Sequence, residues 1–288
     1  MVETMVSKKN FLAPKYAAFF LLIAFTVHAK AATEVEPFWI FLSPGQTYGE
    51  LTISNRFEKP VSYQIEGFSW EQNAKGELLL NSSDGISVES RSMSLDPNQS
   101  GTVKIRVTPH HLGTEEAYRV KVSEIPSLGA DEKKGTQFHT NITIPVFVEV
   151  GDKVVSGEIT DVKHDAGTIG FRIANTGNTH FFVKKLSISG AGIDGRDAFK
   201  FERKGWYILP GGEQLFNAAI SETDCRKSAK LMIEAQFLDG GTLTASVPSN
   251  HASCGNETAS GFPPPTLNGM PARSASSLLP HSGAPRRE

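Results

Sequence analysis

Two side chains in this sequence are equipped for covalent chemistry with each other. Cys225 and Cys254 are its two cysteines, and neither belongs to a CxxC pair that could seed a tetrahedral metal site. In an exported chain an oxidising compartment lets them pair, so one disulfide is expected. Closing a loop of about thirty residues stabilises the fold by roughly 3 to 4 kcal/mol in the chain-entropy model. The remaining chemistry-bearing residues are less well arranged. His110, His111 and His139 lack the i, i+4 spacing that sets two imidazoles on one helix face. Ser123 and Glu124 have no GxSxG turn and no evident histidine partner, so a hydrolytic triad is not formed by any local pattern. Gly190 to Gly195 spells GxGxxG, yet Phe199 and Phe201 then alternate with charged residues where a dinucleotide site requires an amphipathic helix. The segment reads as a loop. No catalysis, cofactor or metal is expected.

The elements that hold these residues begin after a leader. Lys8, Lys9 and Lys15 precede an apolar run from Ala17 to Val27, which ends in Ala29-Lys30-Ala31. That is the pattern of a secretory signal peptide, over 1–31, with cleavage expected after Ala31 and Ala29 as the alternative. Its core of about eleven residues falls short of the roughly twenty that span a bilayer. About 255 residues remain, enough for one large domain or two ordinary ones. The formal charge is -2 with both signs interspersed, so no basic field exists to hold a nucleic-acid backbone.

From residue 36 to about 248 the apolar residues alternate with period two between Gly, Asn, Asp and Pro breaks, which predicts an all-β chain. Leu51 and Ile53 form one such stretch, and Val61, Tyr63 and Ile65 another. Gly67 breaks the phase, placing Phe68 and Trp70 on the other parity, as a bulge does when it keeps apolar side chains on one face. Val103, Ile105 and Val107, then Tyr118, Val120 and Val122, read as strands with one wet face. The longest candidate runs from Thr136 to Val150, with Phe138, Ile142, Ile144, Val146, Val148 and Val150 all on the even parity. About fifteen residues extend about 50 Å, well beyond the usual five or six. One end is therefore expected to serve something outside its own sheet. A polar break at Gly151-Asp152-Lys153 places a domain boundary, giving domains over 32–151 and 152–254. Beyond Cys254 the composition turns to Pro, Ser, Gly and Ala, which predicts a disordered tail over 255–288.

Several segments together resemble the periplasmic chaperones of the chaperone-usher pilus assembly pathway, in particular the group with spore-coat-U-type and archaic members. They are Leu51-Thr52-Ile53-Ser54-Asn55 with Pro60-Val61, Phe68-Ser69-Trp70, and Leu95-Asp96-Pro97-Asn98-Gln99. Glu116-Ala117-Tyr118-Arg119-Val120 with Glu124-Ile125-Pro126 is the most specific, and Ala174-Asn175-Thr176-Gly177-Asn178 and Gly205-Trp206-Tyr207-Ile208-Leu209-Pro210-Gly211-Gly212 complete the set. The resemblance implies two immunoglobulin-like sandwiches set at an angle, a periplasmic location, pilus or fimbrial subunits as partners and delivery of them to an outer-membrane usher. It also implies donor-strand complementation, in which one strand fills the apolar groove of an incomplete subunit. Phe138, Thr140, Ile142 and Ile144 are the expected donor residues.

The sequence departs from the family at one point. Members commonly hold the subunit's terminal carboxylate with an Arg on the first strand and a Lys on the donor strand, and the matching positions here are Trp39 and Pro145. Arg106 and Arg119 are the candidate replacements, since a guanidinium offers a carboxylate two parallel bonds. A structural or adhesive Ig-like component of the pilus and an exported hydrolase are the alternative readings. A pilus subunit, however, carries its own donor extension ahead of its first strand, and Phe38 follows the leader closely.

Overall fold

The computed structural model describes residues 33–254 except 74, 111–112, 127–138 and 166. The expected signal peptide, Phe138 and the tail lie outside the described residues. Among those described, no helix is long and apolar enough to cross a membrane.

Among the described residues the regular structure is almost all strand, and its alternating burial divides it into two sandwiches. The first contains β1 (Thr33–Glu36), β2 (Ile40–Leu42), β3 (Tyr48–Asn55), β4 (Val61–Gln72) and β5 (Leu78–Asn81). It continues with β6 (Ile86–Val88), β7 (Ser92–Leu95), β8 (Ser100–Val107), β9 (Glu116–Ile125) and β10 (Asn141–Val148). One sheet runs β1-β3-β8-β6 and the other β2-β10-β9-β4-β5, with β7 beside β4. The N-terminal segment serves both sheets, because β1 pairs antiparallel with β3 and, beyond Pro37, β2 pairs parallel with β10. Leu51, Ile53, Tyr63, Ile65, Val103, Ile105, Val120 and Val122 fill the space between the sheets, the partition that period-two alternation dictates.

The second sandwich contains β11 (Gly157–Asp165), β12 (Thr168–Asn175), β13 (Phe181–Ala191), β14 (Asp197–Arg203) and β15 (Tyr207–Ile208). After β16 (Glu213–Ala219) come a short helix α1 (Glu222–Lys227), then β17 (Lys230–Phe237) and β18 (Thr242–Pro248). Its sheets run β11-β12-β16 and β14-β13-β17-β18, around Ile169, Phe171, Phe181, Ile188, Leu231 and Ile233. Gly190 to Gly195 lies at the hairpin between β13 and β14, with no helix after it. Cys225 on α1 is bonded to Cys254, Cα to Cα 5.7 Å, the pairing expected from export.

The sandwiches share one structural device. Asn55 at the end of β3 donates from Nδ2 to the carbonyls of Lys59 and Leu95, at 2.8 and 3.0 Å. Asn175 at the end of β12 donates likewise to Thr179 and Ile208, each at 2.9 Å. A buried amide thus satisfies turn carbonyls that would otherwise be left unpaired.

One local expectation fails. No bulge exists at Gly67, because β4 and β9 keep one register from Ser62↔Ile125 to Ser69↔Tyr118. Gly67 instead makes room for Ile86, whose side-chain carbons would lie 3.1 Å from an added Cβ. The change of parity is real, and it turns Trp70 to the outer face of its sheet.

Candidate site between the sandwiches

On that outer face Trp70 is buried with Phe147 and Leu209, and Tyr207, Leu78, Leu80 and Ala117 pack around them. Trp70 and Phe147 belong to the first sandwich, Tyr207 and Leu209 to the second. Ring centroids lie 5.7 Å apart for Trp70 and Phe147 and 5.6 Å for Trp70 and Tyr207, the latter edge to face. Offset and edge contacts of this kind match ring quadrupoles. Gln72 closes one side, because its Nε2 donates to the Tyr207 carbonyl at 2.8 Å and its Oε1 accepts from the Leu209 N–H at 2.9 Å.

Arg119 stands in this cluster. Its β9 position pairs with Pro145 of β10 and Phe68 of β4, and its guanidinium lies over Trp70, 3.8 Å from the ring centroid. The residue is 4% exposed. Nη1 reaches the Thr143 carbonyl only at 3.4 Å, and Nε and the neighbouring Trp70 Nε1 have no hydrogen-bond partner among the described residues. Burial pulls the Arg119 pKa down to about 10, while the Tyr207 hydroxyl works in the opposite sense. Burial raises Tyr207, and the adjacent guanidinium holds it back. Keeping the Arg119 cation buried costs roughly 3 kcal/mol on that shift. Two buried donors side by side, one of them on a cation with no acidic partner among the described residues, form a site suited to an anion.

Beside it, among the described residues, runs an open edge. β10 pairs with β9 along its length, but β2 covers only Val146, Phe147 and Val148. Glu124 N–H donates to the Thr140 carbonyl, so in this register the even residues of β10 bond to β9 and the odd ones face outward. Asn141 and Thr143 therefore present N–H and C=O groups to the open side, and Pro145 presents a carbonyl alone.

The expected donor residues divide. Ile144 is 2% exposed and packs in the first sandwich's own core with Val146 and Val148. The even parity on which it was expected as a groove-filling residue faces inward to this chain. Ile142 packs against the same core but is partly exposed, and Thr140 precedes the strand. Arg106 is exposed on β8 between Tyr48 and Ser87, in the sheet that does not carry Trp70 and Phe147. Trp39 is part-buried and Pro145 buried, and neither supplies a cation. Among the described residues no group of three or more His, Cys, Asp or Glu could hold a metal ion.

No family model matches the sequence, and no curated protein matches it. Solved structures do match. The chain superimposes on the chaperone of the CsuC–CsuE chaperone–tip adhesion subunit pre-assembly complex, from archaic chaperone-usher Csu pili of Acinetobacter baumannii. That similarity has a TM-score of 0.52 at 14% identity and covers 75% of this chain and 98% of the other. The class 5 fimbriae chaperone CfaA matches with a TM-score of 0.50 at 14% identity, over 75% of this chain and 99% of that one. The chain shares the two-sandwich fold of these chaperones. Trp70, Phe147, Tyr207 and Leu209 are the residues of the site that sequence reasoning missed. Phe147 was legible as the one aromatic on the odd parity of an even-parity run, and Trp70 as the aromatic beyond the phase break.

Proposed function

We propose that the chain is a periplasmic chaperone for incomplete β-sandwich subunits of a pilus or fimbria, which it hands to an outer-membrane usher. One observation carries the reading: among the described residues an open strand edge, 141–145 of β10, runs alongside a buried guanidinium with no acidic partner. A subunit lacking a strand exposes unpaired backbone groups and an apolar groove, both aggregation hazards. Asn141 and Thr143 supply ladder bonds to its edge strand, while Thr140 and Ile142, with Phe138 ahead of them, enter the groove. Its terminal carboxylate takes the two free donors of Arg119 and Trp70, a charge-assisted arrangement. Binding of this kind requires no cofactor and no bond-breaking step.

The test is to express the chain with its leader in a bacterial periplasm together with candidate subunits, isolate it by affinity tag, and identify bound protein by mass. A one-to-one complex with a subunit that is degraded in its absence is expected. Recovery of the chain alone, with the subunits equally stable without it, overturns the proposal.

A further inference from the structure

Glu115 sits one residue before β9, and its side chain is 1% exposed. A carboxylate so buried needs partners, and those it has belong to the second sandwich. Thr179 Oγ1 donates to Oε2 at 2.9 Å, the His180 N–H donates to Oε1 at 3.0 Å, and His180 Nδ1 lies 2.6 Å from the same oxygen. The contact is reciprocal, because the Glu115 N–H donates to the Asn178 carbonyl at 2.9 Å. Asn178 Nδ2 in turn donates to the carbonyls of Gly113 and Asp152, at 3.1 and 2.9 Å, and its Oδ1 accepts from the Val154 N–H at 2.7 Å. At Gly177 an added Cβ would lie 2.1 Å from the Val154 carbonyl, so only glycine permits this approach. Residues 175–180 thus grip both the loop entering β9 and the segment joining the sandwiches. The His180 ring lies on Phe147, centroids 3.8 Å apart and planes within 11°.

We infer that Glu115 is a positioning residue for the anion site at Arg119. It does not touch Arg119. Fastened by Thr179 and His180, it fixes the second sandwich against the start of β9, four residues before Arg119, and that placement brings Tyr207 and Leu209 over Trp70. The ligand it prepares the site for is a peptide C-terminal carboxylate entering between the sandwiches. The ligand assignment rests on the chaperone reading above, whereas the positioning itself can be read without any subunit.

The experiment uses the mature chain with Glu115→Ala, Glu115→Gln and Thr179→Val, and reads two signals by NMR, Arg119 Nε–H and Trp70 Nε1–H, alongside subunit capture. Glu115→Ala is expected to shift or broaden both resonances and to lower capture at least tenfold. Glu115→Gln keeps an oxygen to accept from the His180 N–H and places an amide N–H that can donate to the Thr179 hydroxyl, and should restore both readouts. A mere loss of stability is not rescued in this way. Unchanged Arg119 and Trp70 resonances in Glu115→Ala overturn the inference, as does altered resonance with full capture. Should Glu115→Ala fail to fold, Thr179→Val decides: a smaller shift of the same two signals supports the inference, and their constancy overturns it. If the parent protein captures no subunit, the chaperone reading falls while the resonances still report whether Glu115 sets the site.

Discussion

At Arg119 the interests of the free protein and of a complex diverge. A guanidinium that is 4% exposed and has no acidic partner among the described residues destabilises the fold it sits in. Burial lowers its folded pKa to about 10, below the ordinary guanidinium value, so the cation is disfavoured by folding throughout neutral pH. As pH rises through about 10 the folded state releases the proton first, and that penalty fades. Arg119→Met fills the same space without charge, and the free protein should gain about 1 to 3 kcal/mol, read as a higher melting temperature. Subunit capture should fall sharply in the same variant. A variant that melts lower and still captures would show that Arg119 is a structural cation. The residue was visible in the sequence as a strand arginine opposite an apolar parity. Its burial was not, because what covers it comes from β15, nearly ninety positions away.

For the strand β10, side-chain parity and backbone parity carry different information. The even residues bond to β9 and fill the core, while the odd ones hold the open edge. Thr143→Pro should therefore remove one outward N–H while costing at most about 1 kcal/mol, since proline is tolerated on edges. Ile142→Pro should cost more, because it breaks a bond to β9. Ile144→Ala should lower stability by about 2 to 5 kcal/mol as an ordinary core truncation. Melting curves beside subunit yield separate the three, and the assignment of the edge fails if Thr143→Pro captures normally. Alternation alone found this strand and its apolar face, but could not say which core the face belongs to. The same ambiguity produced the bulge expected at Gly67. A change of parity marks either a bulge or a strand buried on both faces, and part of the cover on the second face of β4 comes from residues distant in sequence, Phe147, Tyr207 and Leu209.

Over the whole molecule, two cores and the contacts between them share the stabilisation unequally. The first sandwich carries the open edge and Arg119, and the second carries the Cys225–Cys254 bond. Alkylation of two thiols should occur only after reduction, as read by intact mass. The paired Cys225→Ser and Cys254→Ser variant should lose roughly 3 to 4 kcal/mol, yet retain capture well below its melting transition. Loss of capture in that variant at low temperature would tie the bond to the site. The strand-rich architecture and the cysteine pair were legible because both depend on local pattern. The joint between sandwiches was not, since Gln72, Glu115 and His180 follow no periodicity and are meaningful only as partners. One feature of that joint's border also bears on how copies of this protein meet each other. An exposed strand end is an invitation for a second copy to pair and for a third to follow. Here Pro145 lacks the donor that a continuing ladder would need, and beyond it β2 already occupies the edge. Among the described residues the open stretch is thus closed at its C-terminal end, so a second copy that paired there could not extend its ladder past Pro145.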